Sequence, residues 1–176
     1  MENANLYHLI RHRLPADPER LAITTPEGVH YRYADLEHES ARCANFLTSL
    51  GLAPGERVLV QIDKSPEALF LYLGCIRAGF IYLPVNTAYR RAELDYFLSD
   101  AEPKVVICSG AALSLFAELC RARKIEHLYT LEGDGSGTLR NGYERAEDRF
   151  STVVSVDRDV AAILYTSGTT GRPKGR

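Results

Sequence analysis

The hydrophobic pattern of this chain alternates between segments with helical spacing and short segments typical of strands. Between residues 34 and 50, apolar side chains recur at helical spacing from Leu36 to Leu50, which predicts a helix with one buried face. Residues 58–62 are apolar apart from Gln61, which is typical of a buried strand. The same exchange of periods predicts helices over 5–14, 91–100 and 111–122, and strands over 80–83, 105–108, 127–131 and 160–165.

Turn and cap residues mark where several elements begin and end. The segments 22–25 and 29–33 flank a Pro-Glu-Gly turn, which predicts a β-hairpin. Ser65 offers a hydroxyl cap and Pro66 suits a first helical turn, so a helix is predicted to begin there. Gly79 suits the left-handed position that ends a helix.

The alternation of strands and helices predicts the fold class. Each strand-helix-strand passage is a crossover that makes neighbouring strands parallel, and the helices then cover both faces of the sheet. We therefore expect a layered α/β fold with a mostly parallel sheet plus an N-terminal β-hairpin. Residues 132–141, rich in Gly, Asp and Ser, are typical of a linker. No Gly-x-Gly-x-x-Gly motif follows a predicted strand, so the dinucleotide-binding interpretation finds no support.

Composition and charge narrow the class of partner. The chain has 176 residues, of which 45% are hydrophobic and 25% charged, as in an average globular protein. Its net charge is −2, and its Lys and Arg residues are scattered rather than clustered, which argues against a nucleic-acid partner. A small anion, held locally, is the partner that we expect.

The sequence also bears on location. The N-terminus has no basic start followed by an apolar core, and the longest apolar run, 68–76, is far short of the roughly 20 residues that cross a bilayer. The four cysteines lack CxxC spacing and fall in predicted helices or strands, so we expect free buried thiols in a reducing compartment. These features predict a cytoplasmic protein without export or membrane insertion.

The densest candidate chemistry lies in residues 165–175, Tyr-Thr-Ser-Gly-Thr-Thr-Gly-Arg-Pro-Lys-Gly, directly after a predicted strand. Glycines let a backbone turn and present N–H groups, hydroxyls add donors, and a lysine adds positive charge, a combination that suits phosphate. The loop is not the common phosphate-binding loop. Gly168 and Lys174 have its offset, but Pro173 and Gly175 replace its second glycine and its magnesium-binding hydroxyl.

Composition alone leaves a second interpretation of this stretch, because a Gly/Ser/Thr-rich terminus is often an idle, frayed tail. The order of the residues favours the phosphate interpretation. All eleven positions resemble the signature loop of the adenylate-forming enzymes, which include acyl- and aryl-CoA synthetases, luciferases and peptide-synthetase adenylation domains. Residues 77–86 and 93–107 resemble two further core motifs of that family, so the resemblance spans most of the chain.

The resemblance implies a function and its site residues. In that family the loop closes over the β- and γ-phosphates of ATP, and the corresponding contacts here are Thr166, Ser167, Gly168, Thr169, Thr170, Gly171 and Lys174. The full enzymes use ATP and Mg²⁺ to convert a carboxylate to an acyl-adenylate, and CoA then displaces AMP. No catalytic residue and no metal ligand is assigned in this chain, because their family positions lie downstream. We therefore expect 1–176 to be the N-terminal portion of the AMP-binding domain, ending just after the loop and inactive alone.

Three alternatives for function remain open at this point. Asn86 and the segments 64–68 and 86–89 look most like malonyl-CoA synthetases, which favours a short or dicarboxylic acid substrate. A second alternative is an adenylation domain that serves a carrier protein. The third is a non-catalytic scaffold or interaction fragment, which would associate with itself through an exposed sheet edge and uncovered apolar helix faces.

Two weaker constellations carry no assigned role. His8 and His12 lie four residues apart on one helix face, which is the spacing of two metal ligands, but no third ligand is evident. Asp95 and Asp100 flank two aromatic residues, and we interpret them as ordinary helix surface.

Overall fold

A computed structural model describes residues 3–166 and 174–175 of the chain. The helices are Leu6–Arg11 (α1), Tyr33–Ser49 (α2), Pro66–Arg77 (α3), Arg91–Ala101 (α4), Leu113–Arg123 (α5) and Thr138–Tyr143 (α6), with a 3₁₀ turn at Gly110–Ala112. The strands are Leu21–Thr24 (β1), His30–Arg32 (β2), Arg57–Gln61 (β3), Ile81–Pro84 (β4), Val105–Cys108 (β5), His127–Thr130 (β6), Tyr165–Thr166 (β7) and Lys174–Gly175 (β8).

Strands β3 to β6 form one parallel sheet in the order β4-β3-β5-β6. The chain therefore moves outward from β3 to β4, crosses back past β3 to β5, and continues to β6. This reversal makes the sheet doubly wound, with helices on both faces. The layered α/β fold and its mostly parallel sheet are confirmed. Strands β1 and β2 form the antiparallel hairpin that the sequence predicts, within one residue of its expected bounds.

The central strand β3 supplies side chains to two separate cores. Val58 and Val60 pack into the core under α2 and α3, whereas Leu59 packs into the core under α4 and α5. Successive side chains of a strand point to opposite faces of the sheet. Because helices cover both faces here, all three are buried. A strand buried on both faces needs a continuous apolar run, which residues 58–60 show before Gln61.

Helix α3 begins and ends as its sequence predicts. The Ser65 side chain accepts a hydrogen bond from the backbone N–H of Ala68 at 3.1 Å, and Pro66 is the first helical residue. Gly79 has a φ of 74°, and the N–H of Phe80 donates to the carbonyl of Cys75 at 2.9 Å. This pairing closes the helix end in a Schellman motif, which explains why glycine stands there.

Two predicted segments differ from the structure. The linker expected over 132–141 contains the start of α6, whose Leu139 and Tyr143 are buried against the first core. Those two apolar residues lie four apart and provide a helix face, which outweighs the turn-forming composition around them. The strand expected over 160–165 is reduced to one parallel bridge between Ala162 and Tyr82, followed by the short β7. This segment pairs with β4 on one side only.

A segment that connects α6 to this edge, residues 144–155, has no helix or strand and lies against α2 and α3; we call it the strap. Two α2 residues, Arg42 and Asn45, hold it with side-chain donors. Their acceptors, at 2.7 to 3.0 Å, are the backbone carbonyls of Glu144, Ala146, Glu147 and Arg149. The strap is thus fixed through its backbone.

The cysteines confirm the expectation of free buried thiols. Cys43, Cys75, Cys108 and Cys120 form no disulfide within the described part of the chain, and each is buried. Burial raises the pKa of Cys108 to about 12 and that of Cys120 to about 11. Such thiols are protonated at neutral pH and behave as small apolar side chains.

Candidate functional site

The chain reaches the candidate loop along the open edge of β4. The N–H of Tyr82 donates to the carbonyl of Ala161 at 3.0 Å, and the N–H of Ile163 donates back to the carbonyl of Tyr82 at 3.0 Å. Ile163 then packs into the core under α4 and α5, whereas the next residue, Leu164, is 54% exposed. This pattern of one side chain in and the next side chain out is that of an edge strand with one buried face.

The loop is closed at its base by antiparallel pairing of β7 with β8. Tyr165 is opposite Gly175, and Thr166 is opposite Lys174. We call these four residues the neck of the loop. The pairing brings the backbones of two predicted phosphate contacts, Thr166 and Lys174, side by side. The other predicted contacts, Ser167, Gly168, Thr169, Thr170 and Gly171, lie outside the described residues.

Tyr165 attaches the neck to helix α4. Its hydroxyl donates to Oδ2 of Asp100 at 2.6 Å. Its ring lies 4.3 Å from that of Phe97, with 31° between the ring planes, and 6.1 Å from that of Tyr96, edge to face. Burial raises the pKa of Tyr165, and the hydrogen bond to Asp100 raises it further. The hydroxyl therefore stays protonated at neutral pH and remains a donor.

The interpretation of Asp100 as plain helix surface missed this contact. The sequence separation of 65 residues gives no local signal for it. One signal was present, because Tyr96, Phe97 and Asp100 share a helix face at spacings of three and four residues. Two aromatic rings beside a carboxylate can bind a tyrosine, because the rings contact its ring and the carboxylate accepts its hydroxyl. Asp95, in contrast, pairs with Arg123 at 2.5 Å, as a surface carboxylate would.

The carboxyl ends of the sheet strands are where ligands bind in doubly wound folds. At the end of β3, Gln61 is 4% exposed, and its Nε2 donates to the carbonyl of Asn86 at 2.8 Å. Asn86 in turn accepts the N–H of Ala88 through its side chain at 2.8 Å. These polar groups hold the turn after β4 in place.

A cavity of about 820 Å³ lies between the hairpin and the start of α3. Its walls include Ile23, Tyr31, Lys64, Glu67 and Leu69. Glu67 is 5% exposed and accepts the Tyr31 hydroxyl at 3.1 Å, so it serves the packing of the hairpin against α3. The cavity shares no residue with the neck of the loop.

A buried cation near the strap also proves to be structural. Arg77 is 5% exposed and donates to Oε1 of Glu37 at 2.6 Å and to the carbonyl of Phe150 at 2.7 Å. Its guanidinium lies 4.7 Å from the ring centroid of Tyr7, whose hydroxyl donates to Oε2 of Glu37 at 2.7 Å. Both terminal nitrogens of Arg77 donate to groups of the protein, so this guanidinium serves the fold.

The two histidines at α1 contact each other through their rings. The rings of His8 and His12 lie 4.4 Å apart, edge to face, on α1 and its end. Within residues 3–166 and 174–175, no group of three or more His, Cys, Asp or Glu side chains is placed to hold a metal ion.

In the same described residues, no helix combines the length and the apolar character that a bilayer crossing requires.

Fold and neck together define a doubly wound α/β protein with a short loop closed at its base beside the sheet edge. A family model described as "AMP-binding enzyme" matches residues 10–175. The chain belongs to this family, which confirms the resemblance to the adenylate-forming enzymes.

Curated relatives and solved structures agree with that assignment. The long-chain-fatty-acid–CoA ligase FadD13 of Mycobacterium tuberculosis is 33% identical over 97% of this chain and 34% of its own length. The crotonobetaine/carnitine–CoA ligase of Salmonella heidelberg is 29% identical over 90% of this chain and 33% of its own length. The ATP-bound crystal structure of MatB from Rhodopseudomonas palustris superposes with a TM-score of 0.92 at 46% identity.

The extent of these matches matters as much as their quality. The MatB match covers 99% of this chain and 34% of MatB. The chain thus spans about a third of the length of the relatives that it matches. The likeness confirms the fold as that of the N-terminal domain of the adenylate-forming enzymes.

Proposed function

We propose that residues 166–174 bind the phosphates of ATP, and that the chain contributes this site to an AMP-forming acid–CoA ligase. The observation that carries the proposal is the neck, because β7 and β8 pair immediately at the two ends of the signature string. An idle, frayed tail, the alternative that composition allows, would not be expected to have its two ends paired through their backbones. Membership of the AMP-binding family supports the same reading of the loop.

The proposed reaction begins with attack of a substrate carboxylate on the α-phosphate of ATP, which forms an acyl-adenylate and releases pyrophosphate. Negative charge moves onto the departing pyrophosphate, so donors fixed around its oxygens lower the barrier. We assign this role to Thr166, Ser167, Gly168, Thr169, Thr170, Gly171 and Lys174. CoA then displaces AMP from the adenylate.

Mg²⁺ and CoA enter this proposal as requirements of the whole reaction. Mg²⁺ bound to the ATP phosphates would neutralise charge on the leaving group. The described residues hold no cluster of carboxylates or histidines that suits it, so we assign no ligand to it here. We likewise assign no residue to CoA or to the acid. We therefore expect the 176 residues by themselves to bind ATP weakly and to catalyse little.

For the acid, we propose a short or dicarboxylic substrate such as malonate. The similarity of 64–68 and 86–89 to malonyl-CoA synthetases supports this choice, as does the 46% identity to MatB. The structure gives 86–89 a role in the turn that Gln61 holds.

The test is an NMR titration of ¹⁵N-labelled chain with Mg·ATP, comparing Lys174→Ala with Lys104→Ala. Lys104 is an exposed lysine that pairs with Glu56 at 3.8 Å, and it serves as the matched control. We expect millimolar binding in the wild type and in Lys104→Ala, and its loss in Lys174→Ala. If the wild type fails to bind, or if Lys174→Ala binds equally well, the proposal is wrong and a non-catalytic interaction fragment is favoured.

A second assay separates binding from turnover. The chain is incubated with ATP, Mg²⁺, CoA and malonate, and AMP and pyrophosphate are measured. We expect no sustained release of either product, because a phosphate loop without the groups that hold metal, ribose and acid positions only one part of the reaction. Sustained turnover by these 176 residues would contradict this expectation.

A further inference from the structure

We propose that Asp100 is a positioning residue for the phosphate loop, which it orients by holding Tyr165 against helix α4. This inference rests on the proposed function of residues 166–174. It adds a residue from a different element, outside the signature string, to the site. Asp100 does not contact the nucleotide in this proposal; it determines where the neck of the loop lies.

The geometry of Tyr165 carries the first step. Tyr165 is the first residue of β7, so its backbone is fixed by pairing with Gly175. Its side chain is fixed by the stack on Phe97, a fully buried residue, and by the hydrogen bond of 2.6 Å to Asp100. A residue held at both backbone and side chain transmits the position of α4 to the strand that contains it.

The surroundings of Asp100 carry the second step. Among the residues that the structure describes, Asp100 forms no ion pair, and Tyr165 is its hydrogen-bond partner. Asp95, on the same helix, instead binds Arg123, which belongs to α5. One carboxylate therefore joins two helices, whereas the other joins a helix to the neck. A carboxylate acceptor strengthens a hydroxyl hydrogen bond, so Asp is better suited to this position than a neutral side chain.

The third step is the position of the neck in the fold. The segment before it pairs with the sheet on one side, through the two backbone hydrogen bonds at Tyr82, and packs Ile163 into the core under α4 and α5. These attachments lie before Tyr165 and do not by themselves set the position of its side chain. The contact with α4 supplies the further point of attachment that fixes its direction. Loss of that contact is expected to leave the core intact and to disturb the loop.

The experiment compares Asp100→Ala, Asp100→Asn and Tyr165→Phe with the control Asp95→Ala. Each ¹⁵N-labelled variant is titrated with Mg·ATP, and amide hydrogen exchange is measured at 165–175 and at the core strands β3 and β5. We expect Asp100→Ala and Tyr165→Phe to weaken ATP binding about tenfold, the equivalent of one hydrogen bond to a charged group. Asp100→Asn keeps a neutral acceptor oxygen and is expected to recover part of that loss.

Hydrogen exchange distinguishes positioning from general stability. Exchange at 165–175 should accelerate in Asp100→Ala while protection of β3 and β5 is unchanged, and Asp95→Ala should alter neither ATP binding nor exchange at the loop. If Asp100→Ala lowers protection of the core to the same degree as that of the loop, its role is structural and the inference is overturned.

Lys174→Ala separates this inference from the proposed function. If Lys174→Ala loses ATP binding while Asp100→Ala and Tyr165→Phe bind like the wild type, the role of Asp100 is refuted and the phosphate loop stands. If Lys174→Ala binds ATP like the wild type, the loop proposal itself fails, and the positioning role fails with it. Should Asp100→Ala not fold, Tyr165→Phe provides the same comparison.

Discussion

Two tyrosine–carboxylate pairs in this molecule have nearly the same hydrogen bond and different surroundings. The Tyr7 hydroxyl donates to Glu37 at 2.7 Å, and the Tyr165 hydroxyl donates to Asp100 at 2.6 Å. Glu37 also binds Arg77 at 2.6 Å and Arg11 at 2.9 Å. Asp100 has no such cation among the described residues. The first pair belongs to a network, whereas the second pair stands alone.

The difference separates a residue that maintains the fold from one that orients a site. Arg77 links α3 to Glu37 on α2 and to Phe150 on the strap, and its charge lies over Tyr7 of α1. Removing any one contact leaves the others in place. The Tyr165 contact links one helix to one short strand, so its loss has a local effect. Arg77, in the segment 77–86 that resembles a core motif of the family, therefore serves the fold, whereas we propose that Asp100, outside the loop, serves the site.

The largest expected effect is that of Arg77→Ala on stability. Removing the guanidinium leaves the Phe150 carbonyl without this donor and the Glu37 carboxylate with only Tyr7 and Arg11, and breaking an ion pair whose cation is buried costs about 3 kcal/mol. The free energy of unfolding is measured by urea denaturation. Arg77→Lys keeps the charge but not the planar donor geometry, so it should fall between Arg77→Ala and wild type. Equal stability of Arg77→Ala and wild type would refute the network.

The next effect concerns pH. Burial raises the pKa of Glu37, but the Tyr7 hydroxyl and the charges of Arg77 and Arg11 outweigh burial and hold the pKa below its usual value. A depressed pKa in the folded state means that the stabilisation is complete above about pH 4.3, the ordinary value for glutamate, and is lost as the pH falls through the folded pKa.

We therefore expect Glu37→Gln to destabilise the protein by about 1–2 kcal/mol at pH 7 and by less at pH 3. The measurement is urea denaturation of wild type and variant at both pH values. Glu118→Gln, which removes an exposed ion pair with Arg91, is the control and should change stability by less than about 1 kcal/mol at either pH. A difference between wild type and Glu37→Gln that is the same at pH 7 and pH 3 would argue against an ionised Glu37 in the network.

The smallest expected effect is that of Tyr165→Phe on global stability. Its hydroxyl serves an edge strand outside the core, so we expect a loss below about 1 kcal/mol, against about 1.5 kcal/mol for Tyr7→Phe. Both variants delete one hydroxyl that binds a carboxylate, which makes them a matched pair. The thermal midpoint and urea denaturation give the comparison. A larger loss in Tyr165→Phe than in Tyr7→Phe would reverse the assignment of roles.

Periodicity and turn chemistry in the sequence account for most of the sheet and its helices. The β3 run was bound to be buried on both faces, and Ser65, Pro66 and Gly79 fixed the ends of α3 because each has a local physical reason to stand there. Local signals fail where partners are distant. Helix α6 forms because Leu139 and Tyr143 pack against the first core, and their four-residue spacing is a weak local signal beside the turn-forming residues around them.

The candidate site likewise has one part that the sequence predicts and one part that it does not. The string 165–175 is recognisable on its own, whereas the contact between Asp100 and Tyr165 arises only when β7 is placed beside α4. The buried state of Arg77 is equally hidden, because a charged residue at the end of a helix ordinarily faces water. The roles of Asp100 and Arg77 both depend on contacts with residues that are distant in the sequence.

The way in which the strap is fastened has an evolutionary consequence. Arg42, Asn45 and Arg77 bind its carbonyl oxygens, and every amino acid brings a carbonyl oxygen to the chain. Apart from Asp148, which pairs with Arg42, and Phe150, which packs against the first core, substitutions along 144–150 can therefore accumulate without loosening the attachment, while the three donors themselves are constrained. Homologues should show a variable stretch opposite three invariant polar residues.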